Sequence, residues 1–315
     1  MNKKTIWITG GSTGIGKALA IKFSNEGWNV AISARREELL NELSNQHENI
    51  SAFPLDVTDK IKCKEVFDQI INKYTNIDIC FFSTGTWNPK KEKDIDVEQI
   101  EDVFKVNFFG TLNSIKAVEE YFKNKKVLIT GHTGFKGSWL SLWMSMLGAE
   151  VYGISISIPT NPSHFELLNL NIKNDIRVDI YNSKKIKDII SRIKPDYVFH
   201  LAAQPLVALS YQNPLETFQT NVIGTANLLD ALRNLKKECV AVIITSDKSY
   251  DNLEISRGYH EDDKLGGSDP YSGSKGAAEL VINSYTKSFF SENNIRIGVG
   301  RAGNVIGGGD WAKNR

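Results

Sequence analysis

Thr9-Gly10-Gly11-Ser12-Thr13-Gly14-Ile15-Gly16 and Thr130-Gly131-His132-Thr133-Gly134-Phe135-Lys136-Gly137 are two glycine-rich segments of one design within a single chain. Each follows an apolar, strand-like run and opens a helix-like segment. Glycines at these positions permit a tight turn and the close approach of a pyrophosphate, which then lies at the positive end of the helix. The sequence therefore predicts two dinucleotide-binding loops.

The composition is that of an ordinary globular protein. Of 315 residues, 41% are hydrophobic and 24% charged, and the length suggests two domains. The formal net charge of +1 gives no basis for a nucleic acid partner. The chain shows neither a signal-peptide pattern nor an apolar run of membrane-spanning length. Cys63, Cys80 and Cys239 lie far apart, without metal-ligand spacing. We accordingly expect a cytoplasmic protein with no metal, membrane or nucleic acid partner.

Strand-like and helix-like segments alternate, which predicts an α/β fold built from parallel sheets. The pattern restarts at Lys125-Lys126, so we predict two tandem Rossmann-like units, residues 1–125 and 126–315. In the first unit the predicted strands are 4–9, 28–33, 50–55 and 77–82, and the helices are 15–26, 36–46, 60–74 and 96–123. In the second unit the strands are 127–130, 150–155, 176–179, 197–200, 240–245 and 295–301, and the helices are 137–147, 183–193, 214–234 and 271–290. The first sheet would then be incomplete, with its fourth strand left as an open edge.

Three motifs of the first unit are typical of one family. They are the first glycine loop, Asp56-Val57 after the third strand, and Val106-Asn107-x-x-Gly110. Residues 1–124 thus resemble the N-terminal half of the single-domain short-chain dehydrogenase/reductases. The resemblance implies a cofactor site formed by Gly10, Gly14, Ile15, Gly16, Arg35, Arg36, Asp56 and Val57.

Arg35 and Arg36 follow the second strand, where an acidic residue would bind a ribose hydroxyl. Two guanidinium groups suit a 2′-phosphate instead, so the resemblance implies NADP in this unit. The alternative is that Arg35 and Arg36 are solvent-exposed basic residues at the start of a helix and bind no phosphate.

The catalytic groups of that family are absent from the first unit. Its serine after the fifth strand and its Tyr-x-x-x-Lys do not occur before the second glycine loop. Tyr121 and Lys125 have the Tyr-x-x-x-Lys spacing, but they lie at the end of the helix that precedes the fifth-strand position. We therefore interpret the match as chance. Ser83-Thr84-Gly85 stands where the family has Asn-Ala-Gly and keeps the glycine. We therefore expect the first unit alone to bind a dinucleotide without catalysis.

The second unit carries a longer series of motifs. Besides the glycine loop they are Pro159-Thr-Asn-Pro162, Phe165-Glu-Leu-Leu168, His200-Leu-Ala-Ala-Gln-Pro-Leu206, Ser210-Tyr-x-Asn-Pro214, Thr220-Asn-Val-x-Gly224, Thr245-Ser-Asp-Lys248, Asp269-Pro-Tyr271-x-x-x-Lys275 and Arg301-Ala-Gly-Asn-Val-Ile-Gly-Gly-Gly-Asp-Trp311. Residues 126–315 therefore resemble the nucleotide-sugar 4,6-dehydratases of the extended short-chain dehydrogenase/reductase family. The CDP-glucose 4,6-dehydratases are the branch they resemble most.

The resemblance implies a reaction in which NAD takes a hydride from sugar C4, water leaves from C5 and C6, and the hydride returns to C6. Tyr271 matches the base, and Lys275, one helical turn on, lowers the pKa of its phenol. Ser246 matches the hydroxyl that binds the C4 oxygen. Asp247 matches the acid that releases the C6 hydroxyl, and Lys248 takes the position of the base at C5.

The resemblance also implies residues that bind the NAD and the sugar nucleotide. Those for NAD are Gly131, Gly134, Phe135, Gly137, Asp179, Ile180, Leu201, Ala202, Ala203, Thr245, Tyr271 and Lys275. Those for the nucleotide sugar are Gln204, Asn221, Arg301 and Asn304. Asp179 could alternatively be a helix-start carboxylate, and His200 is expected to be structural. Ile154-Ser-Ile-Ser-Ile158 carries no acid after the second strand, so the motifs themselves do not select NAD over NADP.

Members of the dehydratase family continue beyond the position of Arg315, and that region contains most of their nucleotide-recognition lobe. We therefore expect the second unit to lack this lobe and residues 1–315 to have little dehydratase turnover. Two other functions stay open: an NADP-linked reductase with a catalytic tyrosine from outside the first unit, or a non-catalytic dinucleotide-binding protein. A homodimer is also left open.

Overall fold

The computed structural model describes residues 3–86, 96–118, 121–170, 172–291 and 294–312. The chain divides into two compact units, Met1–Tyr121 and Phe122–Arg315. Each unit contains one parallel β-sheet with helices between its strands, which confirms the predicted α/β class.

The first unit is built on a four-stranded sheet in the order β3-β2-β1-β4. Its strands are β1 (Thr5–Thr9), β2 (Asn29–Ser33), β3 (Ile50–Ala52) and β4 (Ile79–Phe82). Its helices are α1 (Gly14–Asn25), α2 (Glu37–Gln46), α3 (Lys60–Tyr74), α4 (Val97–Val103) and α5 (Gly110–Ala117). In this order β4 lies at one edge, as predicted. The third strand is shorter than the predicted 50–55.

The second unit contains a six-stranded sheet in the order β10-β9-β8-β5-β6-β7. Its strands are β5 (Lys126–Thr130), β6 (Glu150–Ser155), β7 (Asn174–Arg177), β8 (Tyr197–His200), β9 (Cys239–Ser246) and β10 (Ile295–Ala302). Its helices are α6 (Phe135–Met146), α7 (His164–Leu167), α8 (Ser183–Ile193), α9 (Val207–Gln212), α10 (Pro214–Phe218), α11 (Gly224–Arg233) and α12 (Pro270–Tyr285). Strand β5, which follows the Lys125-Lys126 junction, pairs with β6 and β8 in this sheet.

The two sheets start in the same way. The carboxylate of Asp78 accepts a hydrogen bond from the Thr5 amide at 2.8 Å, and Asp196 accepts one from the Lys126 amide at 2.8 Å. In each case an aspartate just before one strand satisfies the first amide of its neighbour, which fixes the register of the parallel pair.

Two long helices predicted as continuous are interrupted by π-helical turns, and a third, 271–290, ends in a π turn at Thr286–Phe290. The predicted helix 96–123 consists of α4, a π turn at Phe104–Phe109 and α5, which ends at Ala117; residues 119–120 lie outside the described residues. The predicted helix 214–234 consists of α10, a π turn at Gln219–Ile223 and α11. Apolar periodicity at 3.6 residues per turn does not distinguish a single π turn within a helix, and such turns are common at functional sites.

Gly153 makes room in the middle of β6 for the imidazole of His132. A Cβ at residue 153 would lie 2.3 Å from a ring carbon of His132. The ring cannot turn aside freely, because both of its nitrogens are hydrogen-bonded, to Ser155 and Asp175. The glycine and the histidine therefore form one packing unit.

Gly153→Ala should lower the free energy of unfolding by about 1–3 kcal/mol, because the added methyl overpacks a filled site. Gly298→Ala in β10 of the same sheet is the matched control, since its added Cβ would have no neighbour within 4 Å. Urea denaturation of both variants checks the prediction, which equal unfolding midpoints would contradict.

Candidate functional site

The second glycine loop is closed by contacts between main-chain atoms. Gly131 has φ +75°, and a Cβ on it would lie 2.7 Å from the Ala202 amide. A Cβ on Gly137 would lie 2.0 Å from the Gly131 carbonyl oxygen. No side chain fits at either position, so α6 starts directly against the end of β5 and its N-terminal amides face the space above the sheet.

That space is a cavity of about 740 Å³. It lies at the carboxyl ends of the strands, where open parallel sheets bind ligands. Every residue predicted to bind NAD in this unit lines it: Gly131, Gly134, Phe135, Gly137, Asp179, Ile180, Leu201, Ala202, Ala203, Thr245, Tyr271 and Lys275. Asp179 accepts a hydrogen bond from the Tyr181 amide, and Asn182, not Asp179, caps α8.

Tyr271 and Lys275 lie in the first turns of α12. Pro270 is the first residue of the helix, and the Asp269 carboxylate caps it by accepting from the Ser272 amide at 3.0 Å. Because the two residues are four apart, they share one face of the helix. Both are buried, and the ammonium of Lys275 lies 6.0 Å from the centroid of the Tyr271 ring. The cavity therefore contains a phenol with a cation beside it.

The pKa of Lys275 is lowered to about 8, mainly by burial and then by repulsion from the Lys136 ammonium, while Glu279 acts in the opposite direction. At neutral pH the lysine is therefore still mostly protonated. Lys136 lines the same cavity from the glycine loop. Lys136 was not among the predicted site residues, although its place between Phe135 and Gly137 in the glycine loop was a usable signal.

Ser246, Asp247 and Lys248 lie at the carboxyl end of β9, outside the set of residues that line the cavity. Asp247–Ser249 form a short 3-10 turn that packs against α12. The Ser246 hydroxyl donates to the Asp247 carboxylate at 3.0 Å and accepts from the Lys248 amide at 3.2 Å. Ser246 is buried, whereas Asp247 and Lys248 are exposed. The turn thus lies beside the helix that carries Tyr271.

Arg301, predicted to bind the sugar nucleotide, does not line this cavity. Its guanidinium binds the buried carboxylate of Glu279 through Nε at 2.8 Å and through Nη2, and it lies over the Tyr250 ring. Glu279 also accepts from Thr245 at 2.7 Å and Ser249 at 3.0 Å. Burial alone would raise the pKa of Glu279, but these hydrogen bonds outweigh it and the pKa is lowered.

Asn221 and Asn304 are also absent from the lining of the cavity, and of the four predicted substrate residues only Gln204 lines it. Asn221 is buried in the π turn, where its side chain accepts from the Gln204 amide at 2.8 Å and donates to the Gln204 carbonyl and the Ser274 hydroxyl. These bonds join the π turn to residue 204 and to α12. His200 is also buried, between the Thr130 and Thr225 hydroxyls, and its pKa is lowered to about 3 by burial.

The first unit has its own cavity, of about 550 Å³. All residues predicted to bind its cofactor line it: Gly10, Gly14, Ile15, Gly16, Arg35, Arg36, Asp56 and Val57. The Arg36 guanidinium donates to the Thr13 hydroxyl at 2.8 Å and to the Ser12 hydroxyl at 3.1 Å, both in the glycine loop. Arg36 is exposed and lies at the N-terminus of α2, with its guanidinium at the edge of this cavity.

Neither cavity contains a metal-binding cluster. Across the residues that the structure describes, no group of three or more His, Cys, Asp or Glu side chains could hold a metal ion. In the same residues, no helix combines the length and apolar character needed to cross a membrane.

The fold and the two cavities define a protein of the short-chain dehydrogenase type. Residues 128–299 match the family model described as GDP-mannose 4,6 dehydratase, and the chain belongs to that family. Residues 4–137 match the model described as short chain dehydrogenase.

Individual relatives agree with this assignment. The chain is 51% identical over 203 residues to the CDP-glucose 4,6-dehydratase of Salmonella typhimurium, covering 62% of this chain and 56% of that protein. It is 35% identical over 120 residues to the NADPH-dependent 1-acyldihydroxyacetone phosphate reductase of Schizosaccharomyces pombe, covering 37% and 40%. Among solved structures, the epimerase Mth375 of Methanothermobacter thermautotrophicus matches with a TM-score of 0.51 and 26% identity, covering 59% and 54%. The chain therefore spans about half the length of these relatives or less.

Lys136→Met should raise the pKa of Lys275 by roughly 1 unit, because it removes a repelling cation from the same cavity. Lysine Cε chemical shifts followed through a pH titration measure the change. Lys184→Met, on α8, is the control and should leave the pKa of Lys275 near 8. An unchanged Lys275 titration in the Lys136 variant would show that the two ammonium groups do not interact.

Proposed function

We propose that residues 126–315 carry the catalytic part of a nucleotide-sugar 4,6-dehydratase that acts on CDP-glucose. The observation that carries the proposal is the buried pair of Tyr271 and Lys275, in a cavity that also contains the Gly131–Gly137 loop. The 51% identity to a CDP-glucose 4,6-dehydratase supports CDP-glucose as the substrate.

The residues of the cavity fit NAD. The glycine loop offers main-chain amides and no side chain at Gly131 or Gly137, which is what a pyrophosphate requires. Bound NAD would accept a hydride from the substrate and return it. The chain's own groups would hold the sugar and move its protons.

Tyr271 would remove the proton of the sugar C4 hydroxyl. The ammonium of Lys275, 6.0 Å from the centroid of its ring, would favour the phenolate form that a base requires. Ser246, at the end of β9, would hydrogen-bond the C4 oxygen. Because its hydroxyl also contacts Asp247, the serine links the first step to the elimination that follows.

Asp247 and Lys248 would carry out that elimination. A ketone at C4 acidifies the proton on C5, which Lys248 as the neutral amine would remove. Asp247, when protonated, would donate to the departing C6 hydroxyl. The exposed 3-10 turn that holds both residues packs against α12, so the proposed elimination groups and Tyr271 belong to adjoining elements.

Tyr271→Phe should reduce conversion of CDP-glucose at least about 100-fold, because it removes the base and leaves the shape of the cavity unchanged. Mass spectrometry of the product, which has lost one water, measures this. Tyr285→Phe, at the other end of α12, is the matched control and should keep the wild-type rate.

The assay is run on residues 1–315 and on the same chain extended at Arg315 with the matching C-terminal region of the Salmonella relative. We expect more product from the extended chain, because binding the nucleotide positions the sugar. No product from either protein, or equal rates with and without the Tyr271 hydroxyl, would contradict the proposed dehydration.

We also propose that the first unit binds NADP without catalysing a reaction. The contacts of Arg36 with Ser12 and Thr13 support this, because they hold a guanidinium beside the glycine loop at the edge of the cavity. Arg35 lines the same cavity, so a 2′-phosphate would meet two cations.

Arg36→Asp should weaken binding of NADPH by at least about tenfold while leaving NADH unchanged or tighter, because it replaces the partner of the 2′-phosphate by a like charge. Ligand-dependent protection of residues 5–16 from hydrogen exchange reports this site within the full chain. Lys22→Asp on α1 changes the net charge by the same amount and serves as the control, which should leave NADPH binding unchanged. Equal NADPH and NADH affinities that the Arg36 substitution does not alter would refute the role of the arginine.

A further inference from the structure

Glu279 is a buried carboxylate on α12, the helix that also carries Tyr271 and Lys275. Among the residues that the structure describes, it is the one buried Asp or Glu. Removing a carboxylate from water costs free energy unless charged or hydrogen-bonding partners replace the water. The partners of Glu279 therefore indicate what this carboxylate does.

The two residues on either side of the segment 246–248 both bind the Glu279 carboxylate. The Thr245 hydroxyl donates to Oε1 of Glu279 at 2.7 Å, and the Ser249 hydroxyl lies 3.0 Å from the same oxygen. Thr245 belongs to β9, whereas Ser249 is the last residue of the 3-10 turn. The segment that contains the proposed elimination groups is therefore bound to α12 at both of its ends.

The Ser249 hydroxyl connects the turn to the strand as well as to the helix. It lies 2.7 Å from the carbonyl oxygen of Ser246 and 3.0 Å from Oε1 of Glu279, and both of these oxygens can only accept. The one proton of the hydroxyl is therefore shared between them. Main-chain packing adds a second contact, because a Cβ on Gly276 of α12 would lie only 3.3 Å from the Ser249 carbonyl oxygen. Moving the turn away from α12 would break both contacts.

Arg301 fixes the orientation of the Glu279 carboxylate. Its guanidinium donates through Nε to Oε1 at 2.8 Å and through Nη2 to Oε2. The same guanidinium lies over the ring of Tyr250, the residue that directly follows the turn, with its Cζ 4.5 Å from the ring centroid. A carboxylate held by two donors of one guanidinium cannot rotate freely, so Oε1 stays directed at Thr245 and Ser249.

We propose that Glu279 is a positioning residue that holds the Asp247–Ser249 turn against α12 and thereby sets the place of Asp247 and Lys248 relative to Tyr271. The inference rests on the proposed dehydratase for the role of those groups, whereas the holding of the turn does not depend on it. The hydrogen bonds of the carboxylate go to residues beside the reacting groups and not to those groups themselves. Without these bonds, oxidation at C4 would proceed and the elimination that follows would be slow.

The first measurement is the protection of residues 246–250 from hydrogen exchange in the full chain. Ser249→Ala and Glu279→Gln should each lower the protection factors by at least about threefold, because the turn opens more often once a hydrogen bond is lost. Asp196→Asn is the matched control. It neutralises a carboxylate that binds a lysine and a main-chain amide in the same unit, at the amino ends of the strands. The turn should keep its wild-type protection in this control.

The second measurement separates the two chemical steps, which a general loss of stability would not do. With the full chain and NAD in excess over CDP-glucose, the absorbance of reduced nicotinamide reports oxidation at C4, and the mass of the product reports loss of water. Ser249→Ala should keep the rate of nicotinamide reduction, slow the loss of water by roughly tenfold and let reduced nicotinamide accumulate. This variant retains the ion pair of Glu279 with Arg301, so it tests the hydrogen bond and not the charge. Asp196→Asn should keep the wild-type rates of both steps.

Adding Ser249→Ala to Glu279→Gln should slow the elimination little beyond Glu279→Gln alone, because both substitutions remove the same contact. Unchanged protection of the turn in both single variants, equal slowing of the two chemical steps, or additive effects would overturn the inference while leaving the proposed dehydratase intact. Absence of both nicotinamide reduction and product in the wild-type chain would contradict the dehydratase itself. Protection of the turn would then decide the inference on its own.

Discussion

The contact between the first and last glycines of each loop is the constraint on which both units depend. A Cβ added to Gly16 would lie 2.3 Å from the carbonyl oxygen of Gly10. A Cβ added to Gly137 would lie 2.0 Å from the carbonyl oxygen of Gly131. Because main chain touches main chain, the helix that follows starts directly at the sheet edge. Its free amides then face the cavity, and the strands on either side supply the residues around it.

A second pattern of hydrogen bonds is repeated in the two units. Asn107 accepts from the Thr86 amide at 2.6 Å and donates to the Thr86 carbonyl, while Asn221 makes the same pair of bonds with Gln204. Both asparagines lie in π turns followed by a glycine that packs closely, Gly110 against Val57 and Gly224 against Ile180. The two units thus share a binding architecture, and the Tyr271–Lys275 pair on α12 is a feature of the second.

Local spacing predicted the features that depend on neighbours in sequence. The two glycine loops and the α/β class were accessible, because each strand–turn–helix connection is local in sequence. The predicted cofactor residues that line both cavities came from the family resemblance and not from spacing. The ion pair of Arg301 with Glu279 was not predicted, because the two residues are 22 apart in sequence and meet only in the folded unit. The Ser155–His132–Asp175 chain joins three elements, and no spacing rule links a loop histidine to an aspartate in β7.

Since the loops are made of main chain, evolution has few ways to adjust them without unfolding the unit. A side chain at Gly16 or Gly137 is excluded by the backbone itself, whereas Arg36 after β2 is held by side-chain hydroxyls alone. A substitution at Arg36 would therefore change the side chain beside the first loop and leave its main-chain contacts intact. Grip on a pyrophosphate and discrimination at its ribose end should thus be adjustable one at a time in this unit.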